Sequence, residues 1–180
     1  MDKRILLAYA GGQNVRYLLT LLSVVAEREH SPIGYYIPST TSREACAERA
    51  YVYIGEQPSC KEFLPETADI LVALEELEGR RAVRFLTADG VMVLCAAHRL
   101  PMSVAVGTTG YPTDVLYRSV NEGRKVWQVK RVECTPPFIS AMLLRAMGYD
   151  KEAVGSILAA CDMTLDEDNM TKVFERKASE

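Results

Sequence analysis

The sequence predicts an α/β domain, a single three-layer unit with a mostly parallel, doubly wound sheet and helices on both faces. Three observations carry that prediction. Ile5-Leu6-Leu7-Ala8, Ile70-Leu71-Val72-Ala73-Leu74 and Val91-Met92-Val93-Leu94-Cys95 are short unbroken apolar runs, the pattern of strands covered on both faces. Gly11-Gly12 ends the first run, and Val15, Leu18, Leu19, Leu22, Val25 and Ala26 then follow helical spacing up to the charged Glu27-Arg28-Glu29. Strand, glycine turn and helix is how doubly wound domains open. The second and third runs are separated by one helix length, which makes a βαβ unit.

The remaining elements follow in order. Ser31–Ile37, with Pro32 at its start, reads as the second strand. Pro38–Arg43 is polar and reads as a loop, and Glu44–Arg49 as a helical turn. Tyr51–Ile54 is rich in β-formers and reads as a strand, followed by a turn over Gly55–Ser59. The strand Ala68–Leu74 runs into Glu75-Glu76-Leu77-Glu78, acidic residues that suit a helix start, with the helix continuing to about Leu86. Asp89-Gly90 reads as a turn. Arg99–Gly110 is irregular, with Val104–Val106 as a short strand, and Asp114–Asn121 is helical after an entrance at Thr109–Pro112. Val126–Val129 is a strand and Cys134–Pro137 a loop. Phe138 to Met147 forms a helix stopped by Gly148. Residues 150–160 form a helix with Val154, Ile157 and Leu158 on one face. Thr164–Lys177 is a weakly amphipathic helix. The expected organisation is one domain over 1–180, with 162–180 as a peripheral helix and tail.

Composition narrows the function classes. The 180 residues are 48% hydrophobic and 25% charged, with a formal net charge of −3, ordinary values for a soluble globular chain. There is no basic stripe of the kind that binds nucleic acid, and no apolar run near the roughly 20 residues of a membrane span. Cys46, Cys60, Cys95, Cys134 and Cys161 stand singly. That spacing argues for reduced thiols in a cytoplasmic protein and against an iron–sulfur cluster or metal site held by this chain.

Catalytic groups are scarce. His30 stands at a helix end and His98 just past a strand, followed by Arg99; both read as surface residues rather than catalysts. Glu75 and Glu76, and the cluster Asp166-Glu167-Asp168, read as helix-start charges. Walker, nucleophile-elbow and zincin motifs do not occur. The candidate ligand site is the turn Gly11, Gly12, Gln13 and Asn14, with Arg43 and the loop after Cys95 nearby. Glycines there let an anion approach the unpaired N–H groups of a helix start. Tyr9 and Asn14 stand where a dinucleotide fingerprint has glycine, so a plain tight turn is the better reading than a phosphate cradle.

Two segments give the chain a resemblance. Tyr9-Ala10-Gly11-Gly12-Gln13-Asn14-Val15 is similar to the G-x-G-G-Q-G-V that opens the gamma subunit of the 2-oxoacid:ferredoxin oxidoreductases, called the beta subunit in the indolepyruvate enzymes. Ala68-Asp69-Ile70-Leu71-Val72-Ala73-Leu74-Glu75 matches the family's A-D-x-L-x-A-L-E element at every fixed position. Tyr36-Ile37-Pro38-Ser39 sits where the family carries Y-x-P-S, and Arg43 where it carries Arg-Gly-Gly, here without the glycines. The likeness runs over roughly residues 3–160. It implies an accessory subunit with no redox centre and no catalytic residue of its own. Such a subunit works with thiamin-binding and ferredoxin-type partners whose complex uses thiamin diphosphate, iron–sulfur clusters and coenzyme A. The family converts a 2-oxoacid and coenzyme A to acyl-CoA and CO2 while reducing ferredoxin, and the gamma module helps form the coenzyme A and thiamin region. Two other readings stay open: a diverged binding or regulatory module that self-associates as a homodimer, and a free-standing nucleotide-dependent enzyme.

Overall fold

The computed structural model describes residues 2–38, 47–111 and 124–178. Six strands form one sheet: β1 (Lys3–Ala10), β2 (Ile33–Tyr36), β3 (Ala47–Ile54), β4 (Ala68–Ala73), β5 (Leu86–Cys95) and β6 (Lys125–Val129). Their spatial order is β2-β3-β1-β4-β5-β6. β1, β4, β5 and β6 run parallel, while β3 is antiparallel to both β1 and β2. The helices are α1 (Arg16–Arg28), α2 (Glu76–Ala82), the single turn α3 (Met102–Ala105), α4 (Pro136–Met147), α5 (Lys151–Ala160) and α6 (Glu167–Glu175). The expected α/β architecture is the observed one.

Side-chain alternation on β1 sorts the core into two layers. Ile5, Leu7 and Tyr9 point to one face, where α1, α4, α5 and α6 bring Leu18, Leu22, Phe138, Leu143, Ile157 and Val173. Leu6 and Ala8 point to the other, which is covered by Ala82 of α2 with Phe63 and Phe85. Tyr51 anchors this thinner layer, with Phe63 and Phe85 edge-on to its ring. Helices therefore lie on both faces, but unequally.

Helix ends follow local chemistry. α4 begins on Pro136-Pro137, whose fixed φ suits a first turn, so the expected loop at Cys134–Pro137 ends two residues sooner. It stops at Gly148, with φ of +101°, in the left-handed position glycine favours. Asp150 and Asp166 accept N–H bonds from Ala153 and Asn169, 2.8 Å each, and so cap α5 and α6. α6 buries Met170 and Val173. Its end is held to the sheet by arginines: Arg145 stacks on Trp127 at 4.4 Å and donates to the carbonyls of Val173 and Arg176. Arg176 pairs with Glu133 at 2.7 Å.

Four expected elements differ. Ala47–Arg49 is the start of β3 rather than part of a helical turn, because it pairs with Ala8–Ala10. α2 ends at Ala82 in a 3-10 turn over Val83–Phe85, which puts Phe85 into the core. Asp89-Gly90 lies inside β5, where five residue steps on β5 face two on β4; the bulge absorbs the residues that read as a turn. Val104 and Ala105 are helical, with their N–H groups on the Pro101 carbonyl at 2.9 Å. The expected loop residues 39–43, the rest of the expected turn at 44–46 and the expected helix at 114–121 lie outside the described residues.

Gly79 shows how closely α2 sits on the sheet. A Cβ there would meet Met92 Cε at 2.7 Å, Leu94 Cδ1 at 2.8 Å and Ala73 Cβ at 3.0 Å. Replacing an interior helix glycine by alanine normally stabilises by about 1 kcal/mol. Here overpacking of about 1–3 kcal/mol opposes it, and the three neighbours sit on the adjacent strands β4 and β5. Gly79→Ala is expected to leave stability unchanged or lower it, and Gly79→Val to lower it by about 2–3 kcal/mol, read as a fall in urea midpoint at constant slope.

Candidate functional site

The sequence-marked residues gather along the carboxyl ends of the parallel strands. The chain leaves β1 toward β2 and β3 on one side and toward β4 on the other. That reversal makes the carboxyl ends of β1 and β4 a topological switch point, and the crevice outside such a point is where open α/β sheets take ligands.

Gly11 and Gly12 form the turn between β1 and α1, as expected. Gly12 is exposed and has φ of +83°, a conformation that a side chain would strain. The Gln13 N–H closes the turn on the Ala10 carbonyl at 3.0 Å. The Gln13 side chain then crosses the crevice: Oε1 accepts from Ala10 N at 2.8 Å, and Nε2 donates to Leu74 O at 3.0 Å. Leu74 in turn donates its N–H to Ala8 O at 2.9 Å. Asn14 Oδ1 accepts from Arg16 N at 3.0 Å and so occupies a donor at the start of α1. The two segments that carry the family likeness are thus physically joined. Arg43 lies outside the described residues.

Beyond Leu74 lies a polar cluster. Glu75 and Glu76 are the helix-start charges expected, at the N-cap and first position of α2, and both are buried, 1% and 5% exposed. Glu75 does begin α2, its Oε2 accepting from Glu78 N at 2.9 Å. Its Oε1 accepts from the Tyr111 hydroxyl and from Arg99 N at 3.4 Å. Glu76 meets His98 Nε2 at 3.1 Å, and its N–H donates to Ala97 O at 3.2 Å. The His98 and Tyr111 rings stack at 4.8 Å. Burial, then the hydrogen bond to Glu75, lifts the Tyr111 phenol above its usual range; it is a donor at neutral pH. His98 is exposed, as its reading as a surface residue expects, and is held there by Glu76 and Tyr111. Glu75 and Glu76 directly after a buried strand were a legible signal for this cluster. Tyr111 gave none, because 36 residues separate it from its partner.

A second cleft, of about 220 Å³, opens where β1 meets β3, lined by Tyr9, Ile37, Pro38, Glu48, Arg49 and Tyr51 among others. Burial and the hydrogen bond to Glu48 raise the Tyr9 phenol to about 12. Arg49 lies over the Phe85 ring at 5.3 Å and hydrogen-bonds Tyr51. Among the described residues no cluster of His, Cys, Asp and Glu has metal-binding geometry, and no helix is long and apolar enough to cross a membrane.

A mostly parallel sheet with a glycine turn after its central strand defines an α/β module of the doubly wound class. Within that class, the fold is that of the 2-oxoacid:ferredoxin oxidoreductase gamma subunits. The PORC subunit of pyruvate oxidoreductase from Thermotoga maritima superposes with a TM-score of 0.64 at 16% identity, over 99% of both chains. The gamma subunit of the keto/oxoacid ferredoxin oxidoreductase from Geobacter sulfurreducens gives 0.59 at 13% identity, over 97% of this chain and 93% of that one. A 2-oxoglutarate:ferredoxin oxidoreductase from Magnetococcus marinus, solved with 2-oxoglutarate, coenzyme A and succinyl-CoA, gives 0.54 at 11% identity; this chain covers 29% of its length. No family model and no curated protein sequence matches the chain.

Two measurements probe this edge. Gln13→Ala removes two side-chain bonds, one within the turn and one across to Leu74, and is expected to cost about 1–3 kcal/mol, read from the denaturation midpoint. Glu78, buried beside Arg81, has its carboxyl raised above the ordinary 4.5 by burial, with Arg81 opposing. A raised folded value stabilises below the unfolded pKa and loses that contribution as pH climbs through the folded one. Glu78→Gln is therefore expected to gain stability relative to the parent chain as pH rises from about 4 to 7.

Proposed function

We propose that this chain is a gamma-type accessory subunit of a 2-oxoacid:ferredoxin oxidoreductase. In this role it contributes surface to the coenzyme A and thiamin region of a larger assembly, while thiamin diphosphate and the iron–sulfur clusters stay on its partners. The observation that supports it most is end-to-end correspondence with the PORC subunit, combined with the joining of the Gly-Gly-Gln turn after β1 to the end of the Ala-Asp element through the Gln13–Leu74 bond. The likeness alone is one of fold; the joined motifs are what supports a site at the turn.

The chain's own residues divide the work. Gly12, exposed and without a Cβ, lets a phosphate-bearing ligand come against the turn backbone. Gln13 closes the crevice beneath it, so the ligand meets the rim of the turn rather than the space between β1 and β4. Gly11 shapes the turn, Asn14 holds the start of α1, and Arg43 supplies a cation to a ligand phosphate or carboxylate. Bond making and breaking falls to the partner subunits.

One feature favours a second reading, a diverged binding or regulatory module that forms a homodimer. Both ends of the Gln13 side chain and Asn14 Oδ1 are already engaged within the chain, and fewer groups of the turn are left for a ligand.

Affinity capture of the tagged chain from its own cells decides between them. The accessory reading expects a stoichiometric complex with a thiamin-diphosphate-binding subunit. That complex should reduce a viologen dye with a 2-oxoacid and coenzyme A, and comparing pyruvate, 2-oxoglutarate and indolepyruvate identifies the acid. Recovery of a homodimer alone overturns it. Within the complex, Gly12→Val is expected to weaken coenzyme A binding by about tenfold or more, a loss of about 1.4 kcal/mol; unchanged binding removes the turn from the site.

A further inference from the structure

Two thiols meet at the same carboxyl edge, on the β5–β6 side. Cys95 is the last residue of β5 and is fully buried. It stands opposite Val129, the last residue of β6. Cys134 follows the 3-10 turn Arg131–Glu133 and precedes α4 by two residues. Its sulfur folds back over the strand end, 3.7 Å from the Val129 carbonyl and 3.3 Å from that of Lys130. The Val129 carbonyl also accepts Ala96 N at 2.8 Å, which ties the sulfur's resting place to the residue after Cys95.

The surroundings give the two sulfurs different roles. Cys134 on one side, and burial, hold the Cys95 thiol well above its ordinary range. The neighbouring Cys95 is the main reason the Cys134 thiol, whose S–H faces the Val129 and Lys130 carbonyls, lies below its ordinary range. The Ala96 N–H and Arg131 act in the same direction, against partial burial and Glu133. Cys134 also sits before the N-terminus of a 12-residue helix, a position that favours a thiolate. Cys134 is half-buried and Cys95 fully buried.

We propose that Cys95 and Cys134 form a redox-modification site at which a hydroperoxide converts the adjacent thiols to an intramolecular disulfide. The Cys134 thiolate attacks the peroxide oxygen, the O–O bond breaks, and the departing hydroxide takes up a proton as water, leaving a sulfenic acid on Cys134. The Cys95 sulfur then attacks Cys134, the S–O bond breaks, and the leaving hydroxyl departs as water with the Cys95 proton. Two thiols and one hydrogen peroxide give one disulfide and two waters; the sulfur pair loses two electrons and the peroxide gains them. The cross-link joins the end of β5 to the entrance of α4. It does not depend on the assignment to an oxidoreductase complex.

The test is peptide mapping and intact-mass measurement of the full chain treated with hydrogen peroxide. It is run on the parent and on a variant with Cys46→Ser, Cys60→Ser and Cys161→Ser. A Cys95–Cys134 linked peptide and loss of two hydrogen masses are expected in both. Cys95→Ser is expected to stop at the sulfenic acid, which dimedone captures on Cys134. Cys134→Ser is expected to leave Cys95 unmodified. At pH 7 iodoacetamide is expected to label Cys134 about tenfold faster than Cys161. Oxidation of Cys134 to sulfinic acid with Cys95 still free overturns the proposal. So does a disulfide from Cys134 to any other cysteine, or equal labelling of Cys134 and Cys161. The parent-chain map stands even if a variant fails to fold.

Discussion

Burial of β1 on all sides is the constraint on which the rest depends. Its backbone pairs with β3 along its whole length and with β4 over Ile5–Ala8. Its side chains feed both cores, and residues Ile5 to Ala10 are at most 4% exposed. A strand so enclosed leaves the chain few ways to exit. The exit must turn sharply and climb onto one face, and Gly12 with its positive φ permits that. The helix that follows then covers the Ile5, Leu7 and Tyr9 face, while α2 covers the Leu6 and Ala8 face. The close seat of α2 follows from the missing side chain at Gly79.

The same enclosure makes the carboxyl edge a dense polar rim. Strand ends there would leave backbone groups open, and side chains supply the partners: Gln13 for Ala10 and Leu74, Glu75 for Glu78 and Arg99. Buried carboxylates are costly without partners. Glu75 and Glu76 persist because Tyr111, backbone N–H groups and His98 satisfy them. Glu78 is less well supplied: one of its buried oxygens has no hydrogen-bond partner, in keeping with its raised pKa. The edge is thus preorganised by the protein's own contacts. The solved structures that share the fold are named as parts of oxidoreductases. At identities of 11–16% they speak to architecture, and the chemistry must be argued from residues.

How much was legible in the chain varies by element. The apolar runs at 5–8, 70–74 and 91–95 were plain because a strand covered on both faces must be apolar at every position. Helices α4 and α5 were plain from their spacing and from Gly148. Asp89-Gly90 misled because a bulge and a turn use the same residues, and only pairing with β4 separates them. Ala47–Arg49 misled because its polar composition says nothing of a neighbour; β1 recruits it. At the site, Gly11 to Asn14 were visible as a turn, but the span of Gln13 to Leu74 was not.

What the amino-acid order determined alone is local: period, turn chemistry and the capping residues, each set by forces acting within about four positions along the chain. It determined the layered α/β class and the position of the glycine turn. Tertiary structure alone decided that Glu75 and Glu76 are buried, that His98 and Tyr111 close over them, and that Cys95 meets Cys134. Those outcomes depend on which strand ends lie side by side, and hydrogen bonds between residues tens of positions apart leave no periodic trace in the sequence.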